Sequence, residues 1–271
     1  MHFHSTRLAR TLAATSLSLA LLSGCAGMAD AMGYDTRNIN AHSAQTYQQV
    51  KVQARNANAL DTQSAVARRI QTVFQRLKPH AEAANRTGVP FEWEMMVIRS
   101  EELNAWAMPG GKMAVYTGLV NTLKLTDDEI AAVVAHEMSH ALNEHSKQAV
   151  GQKALTNLAL DIGGRIVANQ TNLSSDAIGL SQNLLSEYGI GLPYSRYQER
   201  EADSGSLTLM AQAGYDPRAA VNVWEKMSAY QGSGNALSGM LSTHPSNQSR
   251  IEDLRKQLPG VLPVYEQNRR R

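Results

Sequence analysis

The 271-residue sequence has almost no excess charge of either sign and only one cysteine. Its 26 lysine and arginine residues nearly match its 24 aspartate and glutamate residues, and apart from the terminal run at 269–271 the basic residues are scattered. Nucleic acid is therefore not an expected partner, because binding it requires a concentrated basic surface. A single cysteine leaves no disulfide within the chain. The sequence does contain 43% hydrophobic residues, enough to bury the core of one or two domains.

The sequence also lacks an apolar run long enough to span a bilayer in the mature protein. The N-terminal run TLAATSLSLALL, at 11–22, is too short for a transmembrane helix. Arg7 and Arg10 precede it, and a basic segment followed by a short apolar run is typical of a secretory signal.

LSGC, at 22–25, resembles the lipobox of bacterial lipoproteins. The resemblance implies that residues 1–24 are removed, that Cys25 is lipidated, and that its acyl chains anchor the mature protein to a bilayer. Ala26, rather than an aspartate, follows the cysteine, as in lipoproteins that are sorted to the outer membrane. The expected location is therefore the bacterial outer membrane, facing the periplasm. The alternative is an ordinary cleaved signal that leaves Cys25 as a free thiol.

The mature sequence divides into a tether and one folded domain. Residues 25–59 contain many small and polar side chains and few large apolar ones, which predicts a lipidated tether that is loosely structured at its start. A folded domain is predicted at 60–260, followed by a C-terminal tail at 261–271. Within the domain, the alternation in FEWEMMVI at 91–98 and the turn at 109–111 between two strand-like runs predict a small antiparallel sheet.

Helical periodicity predicts that most of the domain is helical, which makes the fold class α+β. The clearest start signal is the capping box from Thr126 to Glu129, directly before Ile130. Between 150 and 195 the polar break NQTNLSSD interrupts the pattern, and we expect this segment to be a helical flap that opens for substrate. The predicted helices cover 61–85, 127–149, 151–168, 195–215, 216–227 and 246–258.

The stretch AAVVAHEMSHALNEH, at 131–145, places two histidines four residues apart in a predicted helix. Positions four apart lie about 40° apart on one face, so His136 and His140 can share one metal ion. Glu137 lies beside them, where a carboxylate can act as general base on a water molecule. His145 is nine residues from His136, which predicts a packed or surface histidine on roughly the opposite side of the same helix.

A third ligand is available in the helix predicted at 195–215, where EREAD places three carboxylates. Glu199 and Asp203 lie four apart on one face, whereas Glu201 is turned about 200° away from Glu199. Zinc sites combine a ligand carboxylate with a second carboxylate that accepts the free N–H of a ligand histidine. For EREAD taken alone, a solvated charged face is the alternative. Together with the two histidines, the pattern favours Glu199 as the ligand and Glu201 as a solvated side chain.

HEMSH, EREAD, the segment NAWAMPGGKMAVYTGL at 104–119 and THP at 243–245 together resemble one family of enzymes. This is the HtpX/CAAX-protease-like family of zinc metalloproteases, of the gluzincin H-E-x-x-H type, and the resemblance covers roughly residues 60–258. It implies a zincin-like domain with an active-site helix and one zinc ion per chain. The positions that match the family's motif are His136, His140 and Glu199 for the metal, Glu137 for the catalytic base and Asp203 for the support of a ligand histidine.

The resemblance also implies roles for two segments outside these helices. Asn104, Ala105, Trp106 and Ala107 match a substrate-binding edge strand, in which small side chains leave the backbone accessible to a peptide. A core hairpin with Trp106 buried is the alternative, and both can hold on opposite faces. His244 matches a histidine that either binds the metal in a resting state or stabilises the tetrahedral intermediate. Its alternative is an ordinary histidine at the start of a helix.

The predicted function is zinc-dependent hydrolysis of peptide bonds in unfolded or misassembled proteins of the periplasm and outer membrane. Zinc would polarise the carbonyl and lower the pKa of its water toward about 7, and Glu137 would carry the proton to the leaving amine. Expected partners are polypeptide substrates and the outer membrane through Cys25, with the outer-membrane assembly machinery as a further candidate. The rival function is a chaperone-like assembly factor whose zinc is mainly structural.

Overall fold

The computed structural model describes residues 27, 29–31, 33–153, 193–232, 239–245 and 248–269. The predicted signal, Cys25 and most of the predicted flap and of the helix at 151–168 lie outside these ranges. Within them the chain is mostly helical and forms one three-stranded sheet, which confirms the expected α+β class. No helix in the described ranges has both the length and the apolar composition that crossing a membrane would require.

Within the described ranges, helices lie on both sides of the strands in sequence, and the strands lie together between 94 and 116. Residues 145–153 are helical as well, directly after a two-residue break. The other elements, in chain order, are α1 (Thr36–Asn56), α2 (Ala65–Ala84), β1 (Glu94–Ile98), β2 (Ala105–Met108), a 3-10 turn (Pro109–Gly111), β3 (Lys112–Tyr116), α3 (Thr117–Thr122), α4 (Asp127–Leu142), α5 (Arg196–Gln212), α6 (Arg218–Gly232), α7 (Met240–Thr243) and α8 (Gln248–Asn268).

Helix α1 lies where the sequence predicted a tether. Its buried side chains Ile39, Tyr47, Val50 and Ala54 recur at helical spacing and pack on one face of the sheet. The Tyr47 hydroxyl also donates a hydrogen bond to the backbone carbonyl of Met113 at 3.0 Å. The folded unit therefore begins well before residue 60. The composition of 25–59 was misleading because a few apolar side chains are sufficient when they share one helix face.

The sheet is mixed, whereas the sequence predicted an antiparallel sheet. Its strand order is β1-β3-β2, with β2 antiparallel to β3 and β1 parallel to β3. The side chains of β1 alternate between two cores: Met95 and Val97 join the core that contains α2 and α4, while Met96 and Ile98 join the core under α1. Both faces of β1 are therefore covered, which is usual for a parallel pair.

Capping boxes start the two helices that carry most of the predicted site. At α4, Thr126 accepts a hydrogen bond from the Glu129 N–H, and the Glu129 carboxylate accepts one from the Thr126 N–H. At α5, Ser195 and Gln198 make the same reciprocal pair. Such bonds satisfy N–H groups that have no partner inside the helix, so the first turns of both helices are well defined.

Helix α4 ends earlier than predicted. The predicted helix at 127–149 is interrupted after Leu142, where Asn143 forms the C-cap and Glu144 has a φ of +52°. A left-handed residue reverses the direction of the chain after a helix. Helical backbone then resumes at 145, so His145 begins a new segment and does not lie on the far side of α4.

The helices predicted at 61–85, 195–215 and 216–227 lie near their predicted positions, and α8 extends further than expected. The sequence predicted a last helix at 246–258 and a tail at 261–271, but α8 runs from Gln248 through Asn268 with two prolines inside it. Its buried side chains are all near its start and include Arg250. Helices α4 and α5 pack against each other at the centre, and α8 packs on α5, which brings the predicted site together.

Candidate metal centre

Four side chains from three parts of the fold converge in one buried cluster. Helix α4 supplies His136 and His140, α5 supplies Glu199, and His244 follows α7. Each has 4% or less of its surface exposed. One ligand atom from each lies within 4.8 Å of the ligand atoms of the others. The structure therefore brings together the three predicted ligands and the histidine that the sequence offered as a fourth.

The spacing of the donor atoms fits a tetrahedral metal. Ligand bonds of about 2.0–2.1 Å place the four corners of a tetrahedral zinc site about 3.3 Å apart. The Nε2 atom of His136 lies 3.1 Å from His140 Nε2 and 3.2 Å from His244 Nδ1. Glu199 Oε1 lies 3.4 Å from His140 Nε2 and 2.9 Å from His244 Nδ1. The residues present therefore fit a zinc ion.

The carboxylate behind His136 determines which of its nitrogens faces the cluster. Its Nδ1 atom lies 3.1 Å from Asp203 Oδ1, as the predicted supporting role of Asp203 requires. An ionised carboxylate only accepts hydrogen bonds, so Nδ1 carries the proton and Nε2 presents its lone pair to the cluster. The Nε2 lone pair of His136 faces nitrogen atoms of His140 and His244 at hydrogen-bond distance. A cation bound among the three imidazoles would stabilise this arrangement.

The charges around the cluster favour a bound cation. Burial lowers the pKa of His136, but its hydrogen bonds to Asp203 and Glu199 outweigh burial and raise that pKa to about 9. Burial and the nearby histidines hold the pKa of His140 well below its ordinary value, despite its hydrogen bond to Glu199. Burial opposes ionisation of Glu199, yet the charge of His244 and hydrogen bonds from the histidines lower the pKa of this carboxyl. Glu199 is thus ionised, and with Asp203 it stabilises positive charge at His136.

Glu137 lies beside the cluster, on the face where its sequence position predicts a catalytic base. Its side chain is 1% exposed. Its Oε1 atom lies 3.3 Å from His244 Nε2, but within the described part of the chain it makes no hydrogen bond of good geometry. A buried carboxylate oxygen without such a bond is destabilising in a protein interior, which indicates that it is kept for another partner.

A buried arginine that the sequence reasoning missed lies beneath the cluster. Arg250 pairs with both oxygens of Asp203, at 2.6 Å from Nε and 2.7 Å from Nη2, and it forms an ion pair with Glu199. Its guanidinium lies 3.6 Å from the centre of the Trp224 ring. Burial raises the pKa of Asp203, but the charge of Arg250 outweighs burial and lowers it. The available signal was an arginine on the apolar face of the last helix.

Tyr194 covers one side of the cluster. Its ring stacks on that of His140, with centroids 3.9 Å apart and an angle of 29° between the planes. Its backbone N–H donates to the carbonyl of Thr243 at 3.0 Å, which ties the start of α5 to the segment that carries His244. No local sequence pattern indicates these contacts, because they join residues that are distant in the chain.

The predicted substrate-binding segment forms the edge strand β2. Trp106 is buried in the core under α1 and its indole N–H donates to the Tyr116 hydroxyl at 3.3 Å, as the core-hairpin alternative requires. Ala105 and Ala107 face the other core, and the Asn104 carbonyl accepts from the Tyr116 N–H at 3.0 Å. The outer edge of β2 is paired with no strand of the described ranges, although the four residues of β2 are buried in this conformation, and the substrate-binding interpretation stays a prediction.

Two side chains that were predicted to lie away from the site are directly behind it. His145 is fully buried, and its Nδ1 atom lies 2.8 Å from His140 Nδ1. Glu201 approaches His145 Nε2 at 3.2 Å, with 37% of its side chain exposed. The predicted side of the helix is wrong for His145, because the break at Glu144 turns it back toward α5, although it is packed as one of its two predicted roles requires. Glu201 stays partly exposed and away from the four donors, as predicted, but it contacts His145.

Comparison with known proteins identifies relatives that are named as metalloproteases of Escherichia coli and as mitochondrial metalloendopeptidases. The chain is 28% identical to Metalloprotease LoiP of Escherichia coli over 247 residues, which cover 88% of this chain and 92% of that protein. It is 27% identical to Metalloprotease YcaL of the same organism over 259 residues, which cover 92% and 97%. It is 36% identical to Mitochondrial metalloendopeptidase OMA1 of Schizosaccharomyces pombe over 168 residues, 62% of this chain. The matched region spans only about half of that protein, at 47% of its length.

The family model described as Peptidase family M48 matches residues 64–258. This range includes the four donors of the cluster, Glu137 and Asp203, and it covers more than half of the chain. The chain belongs to peptidase family M48.

Proposed function

We propose that this protein is a zinc-dependent endopeptidase. The observation that carries the proposal is the convergence of four donor atoms at tetrahedral spacing, with the Glu137 carboxylate buried beside them. His136, His140 and Glu199 would hold the ion, and His244 would complete the site in the conformation described here. A zinc ion in such a site acts as a Lewis acid on a substrate carbonyl and lowers the pKa of water toward about 7.

The residues around the ion would transfer the proton and orient the ligands. Glu137 takes a proton from the attacking water and delivers it to the leaving amine, which a carboxylate beside the ligands is placed to do. Asp203 keeps the proton on Nδ1 of His136 and so directs the other nitrogen to the metal. Arg250 holds Asp203 by two hydrogen bonds and also contacts two of the ligands, Glu199 and His136 at Nε2, so it acts on the reaction through the residues that hold the ion.

His244 would close the site in its resting state. Its Nδ1 atom lies among the donors, and its Nε2 atom lies 3.3 Å from Glu137, where the attacking water would otherwise stand. A catalytic zinc site needs one open position, whereas a site with four protein ligands is closed. The segment that follows α7 must therefore move before a substrate is cleaved.

The substrate would be an extended, unfolded polypeptide that pairs with the outer edge of β2. Main-chain pairing to an edge strand selects for extended conformation and not for a particular sequence. With the signal and the lipobox at Cys25, we place the protein on the periplasmic face of the outer membrane, where unfolded or misassembled envelope proteins are its substrates. Similarity to Metalloprotease LoiP and Metalloprotease YcaL along nearly the whole chain supports the proteolytic activity.

Replacement of one carboxylate tests the proposal against a chaperone-like role with a structural metal. Glu137→Gln should retain zinc and fold normally but lose cleavage of an unfolded protein such as reduced casein, because its amide cannot accept the proton. The matched control is Glu92→Gln, since the Glu92 side chain is 85% exposed and lies outside the site. Zinc-loaded wild-type protein that does not cleave the unfolded substrate would overturn the peptidase assignment and leave the chaperone-like function, whereas cleavage by Glu137→Gln at the wild-type rate would overturn the role of Glu137 as the base.

A variant of His244 separates the closed-site role from a role in stabilising the tetrahedral intermediate. If His244 only closes the site, His244→Ala should raise the basal rate of casein cleavage, because the fourth position becomes available. A fall in kcat with unchanged KM would instead assign His244 to the transition state. Zinc content, measured in the same samples, separates either result from simple loss of metal.

The anchor is tested by the lipobox cysteine. Cys25→Ser should release the protein from isolated membranes, because acylation of that residue is the proposed attachment. An unmodified thiol on Cys25 in the intact mass of the mature wild-type protein would contradict the anchor without affecting the metal site.

A further inference from the structure

A chain of side chains leads from the ligand His140 to the surface of the protein. The Nδ1 atom of His140 lies 2.8 Å from His145 Nδ1. The other nitrogen of His145, Nε2, lies 3.2 Å from Glu201 Oε2. The second oxygen of Glu201 accepts a hydrogen bond from the Tyr197 hydroxyl at 3.2 Å. His145 itself is fully buried, and no step of the proposed reaction uses it.

The carboxylate of Glu201 fixes which atom donates and which accepts in each contact of this series of side chains. The Glu201 carboxylate accepts, so the proton of neutral His145 is on Nε2 and its Nδ1 atom presents a lone pair. That lone pair can only accept, so Nδ1 of His140 carries a proton. The lone pair of His140 is then on Nε2, which is the nitrogen that faces the metal cluster.

We propose that His145 and Glu201 together position His140 for metal binding, by fixing its tautomer and the rotation of its ring. The inference rests on the proposed zinc site. Neither residue touches the metal or the substrate, so both are positioning residues. The two ligand histidines are thus supported differently. The buried carboxylate of Asp203 contacts His136 directly. His140 instead contacts a second imidazole, His145, whose orientation and tautomer are set by the partly exposed carboxylate of Glu201.

The fold supplies His145 in this place through the break between α4 and the next helical segment. A continuous helix would carry position 145 about 140° away from position 140. The left-handed backbone of Glu144 instead returns His145 to the ring of His140, with centroids 4.9 Å apart. Glu201 lies two residues from the ligand Glu199 on α5, so its carboxylate reaches the outer side of the cluster while Glu199 reaches the inner side.

The test compares zinc affinity in variants that remove or retain the acceptor for His140. His145→Leu removes both hydrogen bonds and should weaken zinc binding about 10- to 100-fold, the usual effect of losing such a partner. His145→Asn keeps an oxygen near the position of Nδ1 and should remain within about threefold of wild type. Glu201→Leu should weaken binding less than His145→Leu does, and Glu201→Gln, which keeps an acceptor for His145, should change it least.

The measurements should use the full mature chain. Zinc affinity comes from competition with a chromophoric chelator, and the visible absorption of the Co²⁺-loaded protein reports ligand geometry independently of activity. His80→Leu is the matched control, because His80 is a half-buried histidine on α2, outside the site. Thermal unfolding of the zinc-free variants, which should match wild type within a few degrees, separates a loss of positioning from a loss of folding.

The outcomes distinguish this inference from the proposed function. Weakened zinc binding and an altered Co²⁺ spectrum in His145→Leu, with recovery in His145→Asn, would support it. Wild-type affinity in His145→Leu, or equal losses in the Leu and Asn variants, would overturn it while the zinc site stands. A wild-type protein that binds no zinc would overturn the metal site itself and the inference with it.

Discussion

Arg250 offers the sharpest test of how charge is balanced beneath the metal cluster. Its side chain is 4% exposed, it holds both oxygens of Asp203, and it also pairs with Glu199. Arg250→Met removes the cation but keeps most of the length of the side chain. Both carboxylates then stay buried with less compensation, and breaking a buried pair in this way costs about 3–5 kcal/mol.

The expected shift in unfolding temperature follows from this cost. For a domain of this size, 1 kcal/mol corresponds to about 2–4 °C, so Arg250→Met should lower the Tm of the zinc-free protein by roughly 6–20 °C. The loss should be smaller in zinc-saturated protein, because the metal replaces part of the positive charge beside Glu199. Arg250→Lys should be intermediate, since an ammonium keeps the charge but cannot form the two-pronged pair with Asp203.

Arg255 on the same helix is the matched control. It pairs with Glu225, and the two side chains are 49% and 45% exposed. Arg255→Met should cost no more than about 1 kcal/mol, as exposed ion pairs do. Thermal and urea unfolding, each measured with and without chelator, provide the comparison. Equal and small losses for Arg250→Met and Arg255→Met would refute the argument that Arg250 compensates buried carboxylates.

Three further predictions concern the helices and the pH. Thr126→Ala should cost about 0.5–2 kcal/mol in urea unfolding by removing the capping box of α4, and an unchanged midpoint would contradict that role. Gly205→Ala would place a Cβ 2.6 Å from the Ser139 hydroxyl oxygen, between the two helices that carry the ligands. We expect this clash to lower the free energy of unfolding by about 1–3 kcal/mol and to weaken zinc binding. Adding Ser139→Ala should recover part of both losses. Burial raises the pKa of Asp61, but hydrogen bonds with Ser64 outweigh burial and hold this pKa below 3.8. The ionised carboxylate therefore stabilises the fold above about pH 4, and this stability is lost as the pH falls through the lowered pKa. The difference in unfolding free energy between wild type and Asp61→Asn should therefore be present near pH 6 and vanish near pH 2, and a pH-independent difference would contradict the assignment.

Local signals in the sequence identified the parts of the site that depend on a single helix. The capping box at Thr126 places the start of α4 correctly, and the four-residue spacings then bring His136 beside His140 and Glu199 beside Asp203. Each of these relations is set by helix geometry alone, so it can be read from residue numbers. The same geometry failed for His145, because one left-handed residue ended the helix between it and His140.

Relations that depend on packing between distant segments could not be read in this way. Helix α1 has few apolar side chains, and its burial becomes evident only once the sheet provides a face for it. The parallel pairing of β1 with β3 depends on β2 taking the edge, which no local pattern specifies. Arg250 is 47 residues from Asp203 in sequence, so their pairing is a consequence of how α8 packs on α5.

The most direct test of the zinc centre is a crystal structure of the zinc-loaded protein with an anomalous difference map recorded at the zinc absorption edge. The account predicts one peak, about 2.0–2.2 Å from Nε2 of His136, Nε2 of His140 and a carboxylate oxygen of Glu199. A peak bound instead by His145 and Glu201, or no peak within reach of His136 in protein that contains zinc, would contradict it.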